Sequence, residues 1–216
     1  MTLSQKIFLF MCRPLLTIFF SWKVEGRENI PSTGPLILVA NHVHVVDPFF
    51  LVFSFPRWIY FMAKEELFRS PFLKPWLCWA GSFSIRRGGK IREKQEMLKS
   101  TRNILESGLI LGMFPEGKRS HDGKLRKAKP GSAVIASKTN VPLIPVGIVG
   151  TDKVTGISWL WKRPKIVVNI GKPFNLPPTY SKISKSQMQL LTTKLMKEIA
   201  ALLPPEYQGD YKEHED

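Results

Sequence analysis

Residues 36–55 read LILVANHVHVVDPFFLVFSF and predict a strand, a polar loop and a helix in immediate succession. The first five residues form an apolar run that ends at the polar loop, which is typical of a buried strand. The run after Asp47-Pro48 predicts a helix, because Pro48 needs no backbone N–H in the first helical turn and Asp47 can cap it. The loop NHVHVVDP, residues 41–48, therefore joins the end of a strand to the start of a helix.

The same alternation of strands and helices continues along the chain. Strands are predicted at residues 36–40, 58–63, 109–114, 142–148 and 165–170, and helices at residues 48–55, 71–79, 91–106, 131–138 and 184–203. In a chain of 216 residues this alternation indicates a single α/β domain with a mostly parallel central sheet flanked by helices. Ligands of such folds gather in the loops at the carboxyl ends of the strands, so the loop NHVHVVDP is a candidate site.

The N-terminal segment, residues 1–23, is rich in large apolar side chains, but Arg13 and Pro14 interrupt it. A spanning helix needs about 20 consecutive apolar residues, so this segment is not expected to cross a bilayer. Short apolar runs between basic residues indicate a helix in the membrane interface, and a helix packed on the protein's own core is the alternative. The side chains expected to enter the membrane are Phe8, Phe10, Leu15, Leu16, Phe19, Phe20 and Trp22.

The net charge is +15 at pH 7, and it is distributed over both halves of the chain. A folded and strongly basic protein is expected to meet a polyanion, which is a nucleic acid, an anionic membrane or a phosphorylated substrate. Charge alone does not separate these partners. The apolar N-terminal segment favours an anionic membrane surface, and nucleic acid is not among the expected partners.

His42 stands at the exit of the strand, five residues before Asp47. A regular helix would place the two about 140° apart, whereas a turn ending at Asp47 can bring them together. A carboxylate on one imidazole nitrogen leaves the other nitrogen available as a general base, although structural His–Asp pairs are at least as common. His44 has neither an HExxH motif nor a cysteine pair beside it, so no metal site is predicted.

Two further loops combine basic side chains with glycine: FSIRRGGK, residues 83–90, and FPEGKRS, residues 114–120. Glycine lets backbone N–H groups approach an anion, and arginine binds phosphate with two parallel hydrogen bonds, so the two loops together predict a phosphate site. Each loop alone would fit a solvated basic turn. The string GMFPEGK also approaches a nucleotide-binding P-loop, but Arg119 stands where Ser or Thr would bind magnesium and Pro115 lacks an N–H.

The segments NHVHVVDP, FSIRRGGK, FPEGKRS and VPLIPVGI (residues 141–148), in this order, resemble the four motifs of the glycerolipid acyltransferases. The similarity is greatest to the bacterial 1-acylglycerol-3-phosphate acyltransferases and covers about residues 24–172, including AKEELF (63–68) and KPGSAVIA (129–136). That family often has Ser where His44 stands and Thr where Lys118 stands.

The resemblance implies a membrane-surface enzyme that moves a fatty acyl group from acyl-CoA or acyl-acyl-carrier protein to the sn-2 hydroxyl of 1-acylglycerol-3-phosphate, giving phosphatidic acid. His42 is then the general base and Asp47 orients it. Transfer is direct, which agrees with the absence of a GxSxG motif and of a cysteine near a histidine in sequence. The resemblance implies no bound cofactor and no metal.

The resemblance also implies roles for the other motif residues. The acceptor phosphate would be held by Arg86, Arg119, Lys118 and Arg87, and the glycerol end would contact Glu116 and Gly117. The apolar residues expected to line an acyl path are Val141, Pro142, Ile144 and Pro145. The chain then divides into a membrane-associating segment, residues 1–23, and an acyltransferase domain, residues 24–216, whose acidic tail at 206–216 is expected to fray.

The predicted partners are lysophosphatidic acid, an acyl thioester, an anionic membrane surface and an acyl carrier protein, at the cytoplasmic face of the cell membrane as a peripheral or monotopic protein. Three alternatives stay open. In the first, the chain is an acyltransferase whose acceptor is glycerol-3-phosphate or another lysophospholipid. In the second, it is a non-enzymatic module that binds anionic lipid. In the third, it is a P-loop nucleotide hydrolase. An intact His42 and Asp47 favour catalysis over the second, and Arg119 and Pro115 count against the third.

Overall fold

The structure is a computed structural model that describes residues 1–71, 73–85, 91–178 and 184–212. The helices and strands follow one another as α1 (Leu3–Phe19), β1 (Ser21–Glu25), β2 (Leu36–Ala40), α2 (Asp47–Ser54), β3 (Ile59–Lys64), α3 (Glu65–Phe68), α4 (Leu73–Trp79), β4 (Phe83–Ile85), α5 (Ile91–Glu106), β5 (Ile110–Met113), α6 (Gly131–Thr139), β6 (Leu143–Val149), α7 (Trp159–Lys162), β7 (Lys165–Ile170) and α8 (Lys185–Ala200).

The strands form one seven-stranded sheet in the order β1-β7-β6-β2-β5-β3-β4. Five neighbouring strands, from β6 to β4, run parallel to one another. The strand β7 pairs antiparallel with β6 and parallel with β1. The predicted α/β fold with a mostly parallel central sheet is thus confirmed.

Strand β2 lies in the middle of the sheet, between β5 and β6, and its five residues are fully buried. Successive side chains of a strand point to opposite faces, so Leu36, Leu38 and Ala40 enter one apolar core while Ile37 and Val39 enter the other. Helix α2 packs in the first core, whereas α6 and α8 pack in the second. Because both faces are covered, β2 is a continuous apolar run, as expected for a central parallel strand.

The sequence analysis missed the two edge strands, β1 and β4. The segment SWKVE of β1 alternates exposed with half-buried side chains, because successive side chains point to opposite faces of the sheet. Among the described strands, β1 pairs with β7 alone. Its polar residues hide the strand from a search for apolar runs. Strand β1 also spans the predicted boundary between residues 23 and 24, so the N-terminal segment enters the sheet of the domain that follows it.

Helix α2 begins at Asp47, one residue earlier than predicted, and Val46 occupies the N-cap position without a side-chain cap. The prediction that Asp47 caps this helix is wrong, because its carboxylate faces back into the loop. The tail expected to fray instead packs on the domain as far as Lys212. There the Tyr207 hydroxyl donates to Asp152 at 2.8 Å, and the Tyr207 carbonyl accepts from the N–H of Leu125.

Helix α1 packs one face on the core through Phe8, whose ring contacts Phe53, Trp58 and Trp79. The opposite face exposes an apolar stripe formed by Leu3, Ile7, Phe10, Met11, Leu15 and Ile18. Of the side chains expected to enter the membrane, Phe10 and Leu15 point outward; Phe8, Leu16, Phe19 and Trp22 are half-buried against the core, and Phe20 is buried. Among the described residues no helix is both long and apolar enough to cross a membrane.

Candidate active site

His42 and Asp47 lie at the carboxyl end of β2 and form a hydrogen-bonded pair. The Nδ1 atom of His42 is 2.8 Å from Oδ2 of Asp47. The imidazole is 18% exposed, whereas the carboxylate is fully buried. A tight turn, in which the N–H of Asp47 donates to the carbonyl of His44, brings the two side chains together. The sequence analysis predicted such a turn. With Nδ1 engaged by the carboxylate, Nε2 is the nitrogen available for proton transfer.

The carboxylate of Asp47 is fixed by the loop backbone. Its Oδ2 atom accepts the N–H groups of Val43 at 2.7 Å and His44 at 2.8 Å, in addition to the contact with His42. An oxygen that receives three donors cannot rotate away without losing all of them. The imidazole is therefore held in one orientation and one tautomer, with Nδ1 protonated.

The loop after β5 holds the backbone of His42 from both sides. The N–H of His42 donates to Oε1 of Glu116 at 2.8 Å, and its carbonyl accepts the N–H of Ser120 at 2.7 Å. The ring of Phe114 stacks on the imidazole, with centroids 4.1 Å apart and planes 20° apart. The motifs NHVHVVDP and FPEGKRS, which are far apart in sequence, therefore form one unit around His42.

Asn41 connects the same loop to strand β6. Its Nδ2 donates to the carbonyl of Ile148 at 2.8 Å, and its Oδ1 accepts the N–H of Ile148 at 2.7 Å. The side-chain amide thus continues the hydrogen bonding between β2 and β6 one step beyond Ala40, the last residue of β2. Because Asn41 is buried and directly precedes His42, it fixes the exit of the chain from the sheet.

Glu116 is a buried residue, 2% exposed, and both of its oxygens accept backbone donors. Oε2 lies 3.0 Å from the N–H of Arg126, opposite the contact with His42. Burial raises the pKa of Glu116 to about 7, against the lowering effect of the two backbone hydrogen bonds. These contacts make Glu116 a positioning residue, and the predicted contacts of Glu116 and Gly117 with the acceptor's glycerol end stay a prediction.

The basic side chains of FPEGKRS are exposed beside the loop NHVHVVDP. Lys118 and Arg119 both lie on the surface. Burial lowers the pKa of His44, Asp47 opposes this effect, and the positive charge of Arg119 lowers it further, so Arg119 lies within electrostatic range of this loop. Arg86 and Arg87, also predicted to bind phosphate, lie outside the described residues.

The residues predicted to form an acyl path lie in the interior of the sheet or close to it. Ile144 is fully buried and pairs with Leu38, four residues before His42. Val141 and Pro145 are also buried, and Pro142 is half-buried. The structure does not bring these side chains to the dyad, which is the pair of His42 and Asp47. They lie before β6 or in its first half, whereas the dyad lies at the carboxyl end of the neighbouring strand β2. Their role as an acyl path stays a prediction.

Sequence analysis did not assign roles to Asn41, Phe114 or Ser120, although all three lie in the quoted motifs. The available signal was their position, directly before His42 or within the motif FPEGKRS. Their contacts themselves could not be predicted, because they form only where neighbouring strands of the sheet end side by side. The described residues contain no group of three or more His, Cys, Asp or Glu side chains that could hold a metal ion.

Comparisons with known proteins show which family the chain resembles. The family model described as "Acyltransferase" matches residues 21–149. A curated 1-acyl-sn-glycerol-3-phosphate acyltransferase of Bacillus subtilis is 29% identical over 182 residues, which cover 83% of this chain and 87% of that protein. The chloroplastic enzyme of the same name from Arabidopsis thaliana is 31% identical over 160 residues, 73% of this chain and 44% of that protein.

The chain spans about half the length of the first curated relatives that it matches. A solved structure is also similar: the crystal structure of the 1-acyl-sn-glycerophosphate (LPA) acyltransferase from Thermotoga maritima matches with a TM-score of 0.67 and 28% identity. That alignment covers 92% of this chain and 78% of the other.

Proposed function

The chain belongs to the acyltransferase family, and from that premise we propose that it transfers a fatty acyl group to the sn-2 hydroxyl of 1-acylglycerol-3-phosphate, giving phosphatidic acid. The observation that carries the proposal is the pair of His42 and Asp47. Nδ1 of His42 is 2.8 Å from Oδ2 of Asp47, and the pair lies at the carboxyl end of the central strand β2. The names of the relatives in Bacillus subtilis and Thermotoga maritima support the choice of acceptor.

The proposed reaction is a direct transfer. Nε2 of His42 removes the proton of the acceptor hydroxyl as its oxygen attacks the carbonyl carbon of an acyl thioester. A new C–O bond forms, the C–S bond breaks, and the imidazolium returns the proton to the departing thiolate. Asp47 accepts the Nδ1–H throughout and stabilises the positive ring. No acyl-enzyme and no bound cofactor take part, and acyl-CoA or acyl-acyl-carrier protein serves as the donor substrate.

The acceptor phosphate is proposed to lie against Arg119 and Lys118, with Arg86 and Arg87 from the motif FSIRRGGK. Exposure of Lys118 and Arg119 next to the catalytic loop supports this assignment. Arginine suits the role because its planar guanidinium donates two parallel hydrogen bonds to phosphate oxygens.

The protein is proposed to work as a peripheral or monotopic protein on the cytoplasmic face of the cell membrane. The apolar stripe of α1 (Leu3, Ile7, Phe10, Met11, Leu15 and Ile18) is unpaired with the core and is suited to the lipid interface. Val45, three residues after His42 in the same loop, is a further exposed apolar side chain, 58% exposed. The net charge of +15 supports binding to anionic headgroups.

An assay with lysophosphatidic acid and oleoyl-CoA tests the proposal, because phosphatidic acid forms only if acyl transfer occurs. Monoacylglycerol, which lacks the phosphate, should be a poor acceptor. Charged hydrogen bonds contribute roughly 1.5–3 kcal/mol each, so Arg119→Ala should raise the KM for lysophosphatidic acid about tenfold or more.

The same assay separates the alternatives. Preference for glycerol-3-phosphate or for another lysophospholipid would change the acceptor and keep the reaction. Binding of anionic lipid without product would leave a lipid-binding module. Equal use of lysophosphatidic acid and monoacylglycerol would overturn the phosphate site.

A further inference from the structure

A groove of about 740 Å³ lies on the α8 side of the molecule, between α8, the loop that precedes α6, and the C-terminal residues 210–212. Its volume is within the range of about 300–1,000 Å³ typical of small-molecule sites. Of the described residues assigned to the dyad and to the acceptor phosphate, neither His42 and Asp47 nor Lys118 and Arg119 line this groove. It is therefore a separate feature from the site described above.

The lining of the groove is strongly basic. It contains Lys127, Lys185, Lys197 and Lys212, and Asp210 is the acidic residue among the lining side chains. Four lysines against one aspartate attract an anion that carries several negative charges. Lys185 and Lys197 are twelve residues apart on α8, which corresponds to about 18 Å along a helix axis, so the groove suits an elongated ligand.

The other lining groups suit a ligand that is not charged along its whole length. Threonine and glutamine side chains of α8 and the hydroxyl of Tyr211 offer hydrogen bonds, while Met188 and Pro130 provide apolar walls. Tyr211 is held in place because its hydroxyl accepts the N–H of Ala128 at 3.3 Å. A ligand with phosphates at one part and an uncharged amide chain at another would use all of these groups.

One end of the groove lies close to the catalytic edge of the sheet. Lys127 directly follows Arg126, whose N–H donates to Oε2 of Glu116, and the other oxygen of Glu116 accepts the N–H of His42. The two hydrogen bonds are 3.0 Å and 2.8 Å long, so a single side chain separates the loop that lines the groove from the catalytic histidine. The loop at Lys127 is thus joined to the backbone of His42 through the buried carboxylate of Glu116.

We infer that this groove binds the coenzyme A portion of the acyl donor. The inference rests on the proposed acyltransferase function, which requires an acyl thioester next to His42. Coenzyme A carries its phosphates on the nucleotide part, and its uncharged pantetheine arm contains amides and ends in the sulfur that bears the acyl group. The phosphates lie among the lysines, the arm follows the loop at Lys127, and the thioester reaches the dyad.

Direct binding of free coenzyme A tests the inference without any need for turnover. Isothermal titration calorimetry compares the parent with the double variant Lys127→Glu/Lys212→Glu. The matched control is Lys194→Glu/Lys172→Glu, which changes the net charge equally at exposed positions that do not line the groove. We expect the groove variant to raise the Kd for coenzyme A by about tenfold, or about 1.4 kcal/mol, and the control to remain within about twofold of the parent. Thermal melting of all three confirms folding.

Kinetics with lysophosphatidic acid and oleoyl-CoA provide the second measurement. The groove variant should raise the KM for oleoyl-CoA and leave the KM for lysophosphatidic acid unchanged. Equal Kd values for coenzyme A in parent and groove variant would overturn the inference even if the parent transfers acyl groups. A KM effect confined to acyl-acyl-carrier protein, with unchanged binding of coenzyme A, would also overturn it. Lysine-dependent binding of coenzyme A without acyl transfer would support the groove and count against the proposed function.

Discussion

Glu116 holds the backbone of His42, with Oε1 2.8 Å from the histidine N–H, although 74 residues separate the two in sequence. The same loop returns at Ser120 to bind the carbonyl of His42. The main chain of the histidine is thus held by the loop after β5, while Asp47 from α2 orients the ring. Positioning of His42, the proposed general base, depends on two strands of the sheet ending side by side.

Replacing the histidine tests its role as general base. General-base catalysis contributes about 10²–10⁴-fold, so His42→Ala should lower kcat by at least about 100-fold with a much smaller change in the KM for the acceptor. Steady-state assays with lysophosphatidic acid and oleoyl-CoA measure both constants. The mechanism is wrong if a variant that melts like the parent turns over at a near-normal rate. Asp47→Asn should also be severe, since the neutral amide keeps one oxygen for the donors but loses the negative charge that stabilises the imidazolium.

The raised pKa of Glu116 predicts a pH dependence of stability. The pKa is about 7 in the folded protein, against 4.5 as its ordinary value, so the folded state binds more protons between these pH values. The free energy of unfolding contributed by this group is highest below about pH 4.5, falls as the pH rises, and has lost about 3 kcal/mol once the pH exceeds 7.

Urea denaturation at several pH values from 5 to 8 measures this effect in the parent and in Glu116→Gln. The glutamine does not ionise, so its free energy of unfolding should fall less over this interval. Its amide offers one oxygen to two backbone donors, which lowers stability at every pH and leaves the slope as the diagnostic quantity. Parallel slopes in the two proteins would show that Glu116 does not titrate in this interval.

Asn41 should stabilise the junction of β2 with β6. Asn41→Ala leaves the buried N–H and carbonyl of Ile148 without the partners that the amide provides, which should cost about 2–4 kcal/mol. Urea denaturation checks the loss against Asn103→Ala, a change at an exposed position of α5 that should stay within about 0.5 kcal/mol of the parent. Similar midpoints for the two variants would contradict the assigned role of Asn41.

The two faces of α1 should respond differently to substitution. Phe10→Ser/Met11→Ser removes two exposed apolar side chains, 80% and 64% exposed, and should weaken binding to anionic liposomes about tenfold while leaving the melting temperature nearly unchanged. Phe8→Ala removes the ring that packs on Trp58 and Trp79 and should instead lower the melting temperature. Liposome flotation and thermal melting of both variants decide the matter; unchanged flotation of the double variant would rule out membrane contact through this stripe.

The sequence by itself determined the central part of the fold. Strands β2 and β7 and helix α5 begin and end at the residues predicted for them, because the two strands are compact apolar runs and the apolar residues of the helix recur at helical spacing. The sequence also predicted that the side chains of His42 and Asp47 meet, since the loop between them is short and a local turn can join them. The edge strands β1 and β4 escaped prediction because β1 contains polar residues and β4 is only three residues long, so neither forms a recognisable apolar run.

Only the tertiary structure decided how the distant motifs meet. The contacts of Glu116 and Ser120 with His42, and of Asn41 with Ile148, join residues from separate strands, and no local pattern encodes such pairings. The structure also separated the two faces of α1, which composition alone does not distinguish because both faces are apolar. Burial against the sheet makes one face part of the core, and no described residue covers the large apolar side chains of the other face.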